Sequence, residues 1–203
     1  MSLASPSSRA ARPARPAPAR GFLRRFWRAR TGSTAVEFSL ISIPFMILMF
    51  GVIELTMLFL TYATLESATE GAARQIRTGE FQTGNSHSKA DFKTLVCNRL
   101  SWMAADCASS LYIDVRTFSN FASLAANSPS PGTAFDPNAT CFTTGAPTDI
   151  VLVRTYFKWK LFTPLIDSAL QNMGSGSGLR LISTATAFRN EPYNEDPPVG
   201  AGC

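Results

Sequence analysis

Hydrophobic positions along the chain change their period several times, and each change marks an element. From Phe38 to Leu60 the residues FSLISIPFMILMFGVIELTMLFL are apolar on every side, with Glu54 the one charge among them. A helix rising about 1.5 Å per residue covers roughly 34 Å over that run, enough for a hydrocarbon core of about 30 Å. Pro44 and Gly51 would weaken a helix in water, yet both residue types are commoner in membrane helices. The run predicts a transmembrane helix. Beyond it Leu58, Tyr62, Leu65, Ala68, Ala72 and Ile76 recur at three- and four-residue steps, with Glu66, Glu70, Arg74 and Arg77 on the opposite side. This is an amphipathic stem, whose apolar face must lie on its own domain or on a neighbouring subunit. Gly79 and the polar residues 83–88 end it. Ser88 with Asp91 has the pattern of a capping box, predicting a second helix with Phe92, Leu95, Val96, Leu100 and Met103 on one face.

Strand periodicity follows. Leu111, Ile113 and Val115 alternate with Tyr112, Asp114 and Arg116, the pattern of a half-buried strand. Residues 119–148 are rich in Asn, Ser, Pro, Gly and Thr and read as a long surface excursion held by Cys141. Residues 150–161 carry the strongest strand signal, with Val151, Val153, Phe157, Trp159 and Leu161 on one side. A short helix around Pro164–Met173 and the loop GSGSG (174–178) precede a third strand, Leu179–Phe188. The expected fold class is α+β. A long N-terminal transmembrane and amphipathic helix precedes a small disulfide-containing domain with a roughly three-stranded antiparallel sheet. The expected boundaries are 1–32, a cytoplasmic basic leader; 33–80, the membrane helix and stem; and 81–203, the exported α+β domain.

Charge distribution adds orientation. The chain has 203 residues, with 19 Lys and Arg against 14 Asp and Glu. Eight arginines (Arg9, Arg12, Arg15, Arg20, Arg24, Arg25, Arg28 and Arg30) precede the apolar run with no acid among them, so the remainder is net acidic. Cytoplasmic flanks of membrane helices carry the basic residues, which keeps residues 1–32 inside and exports the rest. The leader is also Arg-rich, Ser-containing and acid-free, features shared with mitochondrial presequences. An ordinary signal peptide fits less well, because its apolar stretch is about 7–15 residues. A net acidic exported part lacks the clustered cations that bind nucleic acid.

Candidate chemistry is sparse. His87 is the single histidine, which disfavours a His-rich metal site or a His-based triad. The GSGSG loop lacks the spacing of a dinucleotide fingerprint, and no P-loop, H-E-x-x-H or G-x-S-x-G motif occurs. Neither catalysis, a cofactor nor a small-molecule substrate is expected. Cys97, Cys107, Cys141 and Cys203 all follow the apolar run, where export to an oxidising compartment would pair them. Four cysteines allow three connectivities, and spacing alone does not choose among them.

At the membrane boundary stands Gly32-Ser33-Thr34-Ala35-Val36-Glu37-Phe38, behind Arg28 and Arg30. This resembles a Tad/Flp-type prepilin cleavage site: a Gly, four residues, then Glu and an aromatic at the start of the apolar helix. More of the chain is similar to the TadE-like minor pilins. The similar stretches are Gly51-Val52-Ile53-Glu54, the stem from Glu70 to Gly79, the Cys97 and Cys107 pair followed by Asp114-Val115, the strand with Trp159 and Pro164, and residues 188–193. The resemblance implies a single-pass pseudopilin of the inner membrane, its C-terminal domain periplasmic, cut by a prepilin peptidase between Gly32 and Ser33. Its implied partners are that peptidase, other Tad/Flp pilins and inner-membrane assembly proteins. It implies assembly or processing roles for Glu37, Phe38 and Glu54. On the same resemblance Cys97 pairs with Cys107, leaving Cys141 with Cys203. That pairing needs the second helix to end near Met103–Asp106, because ten residues of helix would separate the two Cα atoms by about 15 Å. The competing expectation is an uncleaved single-pass anchor whose domain serves as a binding or scaffold module. Glu54 lies about 25 Å along the helix from Glu37, where it marks either a functional position or the point of emergence from the bilayer.

Overall fold

The computed structural model describes residues 32–83, 88–126, 135–163 and 166–193. The basic leader through residue 31, His87, Pro164, Cys203 and the tail from residue 194 lie outside them. The chain divides into two units, Met1–Met46 and Ile47–Cys203. One helix, α1 (Ser33–Arg77), passes from the first into the second without interruption at Pro44.

Within the first unit the described side chains of α1 from Thr34 to Met46 are exposed apart from a half-buried Ser42. Ser39 and Ser42 donate their hydroxyls to the carbonyls of Val36 and Ser39 at 2.8 and 3.1 Å. Hydroxyls turned back onto the helix backbone need no water, which suits an apolar environment.

The second unit is a helix-on-sheet fold. The strands β1 (Leu111–Phe118), β2 (Ile150–Lys160) and β3 (Leu179–Arg189) form an antiparallel sheet in the order β1-β2-β3. The registers pair Val115 with Val153 and Val153 with Thr186. The expected α+β class and three-stranded sheet are therefore present. Leu58, Leu65, Ala68, Ala72 and Ile76 of α1 join Ile113, Val115, Val151, Val153 and Phe157 of the sheet in one core. Burying a residue such as Leu65 or Ile76 contributes roughly 1.5–3 kcal/mol. One position on the stem differs from expectation. Tyr62 is 43% exposed, and the neighbouring Thr61 is fully buried, its hydroxyl donated to Met57 O. A second polar contact closes the core. The hydroxyls of Thr69, Thr155 and Thr184 form a buried triangle with sides of 2.7, 2.8 and 3.1 Å, tying α1 to β2 and β3.

Gly79 takes φ +81°, which ends α1 in the left-handed conformation a glycine tolerates. A short helix α2 (Glu80–Thr83) follows, and then α3 (Lys89–Cys97), whose N-terminus carries the expected Ser88–Asp91 capping box. The apolar stripe from Phe92 to Met103 does not lie on one helix. The chain turns after Cys97, places Ser101 at φ 52° and starts a 3-10 turn (Ser101–Met103) followed by α4 (Ala104–Ser110). Phe92, Val96, Leu100 and Met103 are nevertheless all buried, so periodicity found the core residues and missed the break. The break brings Cys97 and Cys107 to a Cα separation of 5.7 Å, and they form a disulfide. The turn precedes the stretch in which that pairing was expected to need it.

The excursion after β1 holds a short helix, α5 (Phe121–Ala126), and returns across the sheet. Phe135 packs on Tyr112 and Tyr156, and Phe142 bridges Val115 in parallel along the outer edge of β1. Leu152, Arg154 and Tyr156 are buried beneath this cover, so β2 is buried on both faces. The cover is pinned by Asp114, which accepts from Cys141 N–H at 2.8 Å and from Arg116 Nε. The helix expected around Pro164–Met173 is shorter, α6 (Asp167–Leu170).

Candidate functional site

The expected processing site opens α1. Gly32 precedes the helix, is exposed and has open space where a Cβ would stand. Ser33 is the first helical residue, Glu37 is exposed one turn further, and Phe38 is 73% exposed. Val36, Leu40, Ile41, Ile43 and Phe45 surround them, each at least 59% exposed, so this stretch presents apolar surface in every direction. The helix is long and apolar enough to cross a membrane once.

Glu54 stands elsewhere, and its surroundings differ from those of the other expected site residues. It is fully buried within the second unit. Its Oε2 accepts the backbone N–H groups of Phe162 and Thr163 at 3.2 and 2.9 Å, in the turn that follows β2. One helical turn earlier, a Cβ on Gly51 would come within 2.7 Å of Ile166 Cδ1. The side-chain tip of Ile166, beyond the turn after β2, occupies the space that a Cβ there would take. Gly51 and Glu54 therefore meet the same stretch of chain: one leaves room for the Ile166 side chain and the other caps the free amides of the turn. Oε1 of Glu54 and Oγ1 of Thr163 are buried without a hydrogen-bond partner among the described residues. The apolar run is thus not uniform, since Gly51, Glu54 and Leu58 already face the chain's own domain.

Beside Glu54 an open groove of about 430 Å³ runs between α1 and the free side of β3. Leu55, Leu58, Phe59 and Tyr62 form one wall, and Leu170, Asn172 and residues 180–183 form the other. Asn172 holds that wall by accepting from Leu181 N–H at 2.6 Å and donating to Leu181 O at 3.0 Å, as a neighbouring strand would. Sequence periodicity did not find this groove, because its polar residues lie on separate elements.

The match to known proteins coincides with this helix. Residues 32–74 match the family of TadE-like proteins. The matched segment begins at Gly32 and includes Glu37, Phe38, Gly51 and Glu54. No curated protein and no solved structure matches the chain. The sheet domain beyond residue 74 is thus outside the TadE-like segment.

The cysteines serve structure. Cys141 is disulfide-bonded as well, and Cys203, expected opposite it, lies outside the described residues. Among the described residues no group of three or more His, Cys, Asp or Glu stands close enough to hold a metal ion. Two titrating groups are displaced. Partial burial holds the Lys89 ammonium below its ordinary range, with Asp114 opposing and Lys93 adding to the shift. Burial beside Asp149 pushes the Tyr193 phenol up. Both brace loops of the domain: Lys89 donates to Thr140 O, and Tyr193 donates to Gly145 O.

Proposed function

We propose that the chain is a minor pilin of a Flp-type pilus, working without catalysis in assembly of the fibre. In this reading a prepilin peptidase cuts between Gly32 and Ser33. The arginine-rich leader remains cytoplasmic, α1 anchors the mature chain in the inner membrane, and the sheet domain faces the periplasm. The observation that carries the reading is one of register: the TadE-like segment starts at Gly32, and helix α1 starts at Ser33. Cleavage at that bond would leave a free α-amine at the first residue of the helix.

Glu37 gives that amine a function. Four residues separate them, so both lie on one helical face. A carboxylate costs up to about 2.5–3.5 kcal/mol at the centre of a bilayer and less near its edge. An amine from the same chain or a neighbouring subunit offsets that cost, and an inter-subunit pair sets the axial register between helices. Further along α1, exposed Leu55, Phe59 and Leu60 supply apolar surface for such packing.

Intact mass and N-terminal sequencing of the membrane-extracted protein test the cut, which predicts Ser33 as the first residue. Gly32→Val should accumulate the precursor, because a side chain there obstructs close approach of the peptidase to the backbone. Normal maturation of that variant would remove the pilin reading. An N-terminus at Met1 or Ser2 would favour the uncleaved anchor. Glu37→Gln, which keeps shape and removes charge, should be processed and inserted but should no longer co-purify with other pilins. Normal assembly of that variant would refute the pairing.

A further inference from the structure

The second unit carries three large hydrophobic side chains outside α1 that are strongly exposed among the described residues: Trp102 at 47%, Phe121 at 55% and Phe162 at 50%. Two of them share one end of the domain. Trp102 stands edge-on to Trp159, with ring centroids 5.9 Å apart. Trp159 lies three residues before Phe162 and opposite Arg180 in the β2–β3 register, and Lys160 beside it is exposed. The contacts of α1 fix the level of this cluster. Phe162 N–H binds Glu54, and Arg180 lines the groove beside Leu55 and Leu58. Phe121 stands at the other end. It follows Phe118, which pairs with Ile150, which in turn pairs with Arg189, and Glu191 just beyond binds the last residue of α1, Arg77, at 3.3 Å.

Helix rise converts that level into a depth. From Ser33 to Glu54 an α-helix advances about 31 Å, close to the roughly 30 Å of a hydrocarbon core. A chain that crosses a bilayer from Ser33 onward therefore reaches the far head-group layer at Glu54, the level of Phe162. Aromatic side chains concentrate in that layer, and Lys and Arg stems lie along apolar surface while their heads reach lipid phosphates. Trp102 and Phe162 are exposed together at this end, against the single Phe121 at the other. Lys160 is exposed beside them, and Arg180, which also donates to Leu170 O, stands at the edge. This pairing of aromatic surface with cations matches a phospholipid surface.

We infer that this end of the domain rests on the outer head-group layer of the membrane that α1 crosses. Trp102 and Phe162 enter the interface, and Lys160 and Arg180 contact lipid phosphates. The domain is then held at a fixed height by four side chains as well as by its helix. The inference rests on the membrane-anchored reading of α1 and goes beyond it.

The test uses the full chain carrying Trp27→Phe, reconstituted in nanodiscs of phosphatidylethanolamine and phosphatidylglycerol. Trp102 and its stacking partner Trp159 are then the emitters. Lipid brominated at the 6,7 acyl positions should reduce their emission about twofold if Trp102 sits in the interfacial belt. Trp102→Phe should remove most of the quenchable component. Hydroxyl-radical footprinting of the same discs should find Trp102 and Phe162 protected and Phe121 oxidised. Insertion with unquenched emission overturns the inference and leaves the anchored reading intact. Protection without lipid quenching would mark a protein neighbour and also overturns it. Failure of the chain to enter the discs overturns the anchored reading and this inference together.

Discussion

Helix α1 is one continuous element in two environments. Up to Met46 its described side chains point outward almost without exception, and nothing in its sequence prefers one face. From Gly51 onward one face disappears: Gly51, Glu54, Leu58, Thr61, Leu65, Ala68, Ala72 and Ile76 are buried in succession at three- and four-residue steps. The apolar run in the sequence continues to Leu60, past the point where burial begins. Hydrophobicity alone therefore locates the helix but not the place where its solvent changes. Small and polar residues mark that place, because the domain approaches the backbone at Gly51 and offers free amides to Glu54.

Substitutions of equal chemistry on the two halves should separate them most strongly. Leu65→Ala removes a fully buried side chain, and cores that lose a leucine in this way lose about 2–5 kcal/mol. Leu40→Ala, at a position 68% exposed, should leave unfolding of the sheet domain within about 0.5 kcal/mol of the unmodified chain. Urea titration in detergent, followed by tryptophan emission, measures both. Similar losses at the two positions would erase the distinction. The next largest effect belongs to the docked half's support, the Cys97–Cys107 bridge under α3. Replacing both cysteines by serine should cost about 2–3 kcal/mol for a loop this short. The same titration reads it, while non-reducing peptide mapping of the unmodified protein confirms the pair.

Much of this was legible from residue pattern. The stem, the capping box at Ser88 and all three strands follow from period and punctuation, and agree with the fold apart from Tyr62 on the stem. Three features did not follow, for identifiable reasons. The break after Cys97 is hidden because Leu100 and Met103 stay buried on both sides of the turn, keeping a helical stripe where no helix continues. The cover over the outer sheet face is polar in composition, and its hold depends on Asp114 meeting Cys141 N–H across 27 residues. The threonine triangle gives no hydrophobic signal at all: Thr69 donates to Leu65 O within α1, but the contacts that tie it to Thr155 and Thr184 join residues distant in sequence. At the candidate site, Gly32, Ser33 and Glu37 were legible through their register with the apolar run. The partners of Glu54 were not, because Phe162 and Thr163 contribute backbone amides that no side-chain motif records.

Glu54 tests the junction itself. Glu54→Gln keeps an oxygen acceptor for the amides of Phe162 and Thr163 but makes it neutral. Hydrogen bonds to charged groups are worth about 1.5–3 kcal/mol against 0.5–1.5 for neutral ones, so a loss of about 1 kcal/mol in domain stability is expected. Gly51→Leu should loosen the same junction sterically, by driving a side chain into Ile166. A Glu54→Gln domain as stable as the unmodified one, combined with unchanged piliation, would mean that the carboxylate is neither a structural nor an assembly determinant.

The smallest expected effect concerns the far end of the docked half, where Tyr193 covers Gly79. A Cβ on Gly79 would meet that ring at 2.7 Å, so the glycine's absent side chain leaves the space that the tyrosine fills. The phenol donates to Gly145 O at 3.2 Å, and burial beside Asp149 raises its pKa above the ordinary 10.0. The folded state therefore holds this proton more tightly than the unfolded chain does. Its contribution is fully present below pH 10 and is lost as pH rises through the raised folded value. Stability measured by urea titration should consequently fall in the alkaline range more steeply for the unmodified protein than for Tyr193→Phe. The two curves should run parallel at neutral pH, offset only by the lost hydrogen bond. Parallel curves through the alkaline range as well would show that the ring closes the end of α1 by packing alone.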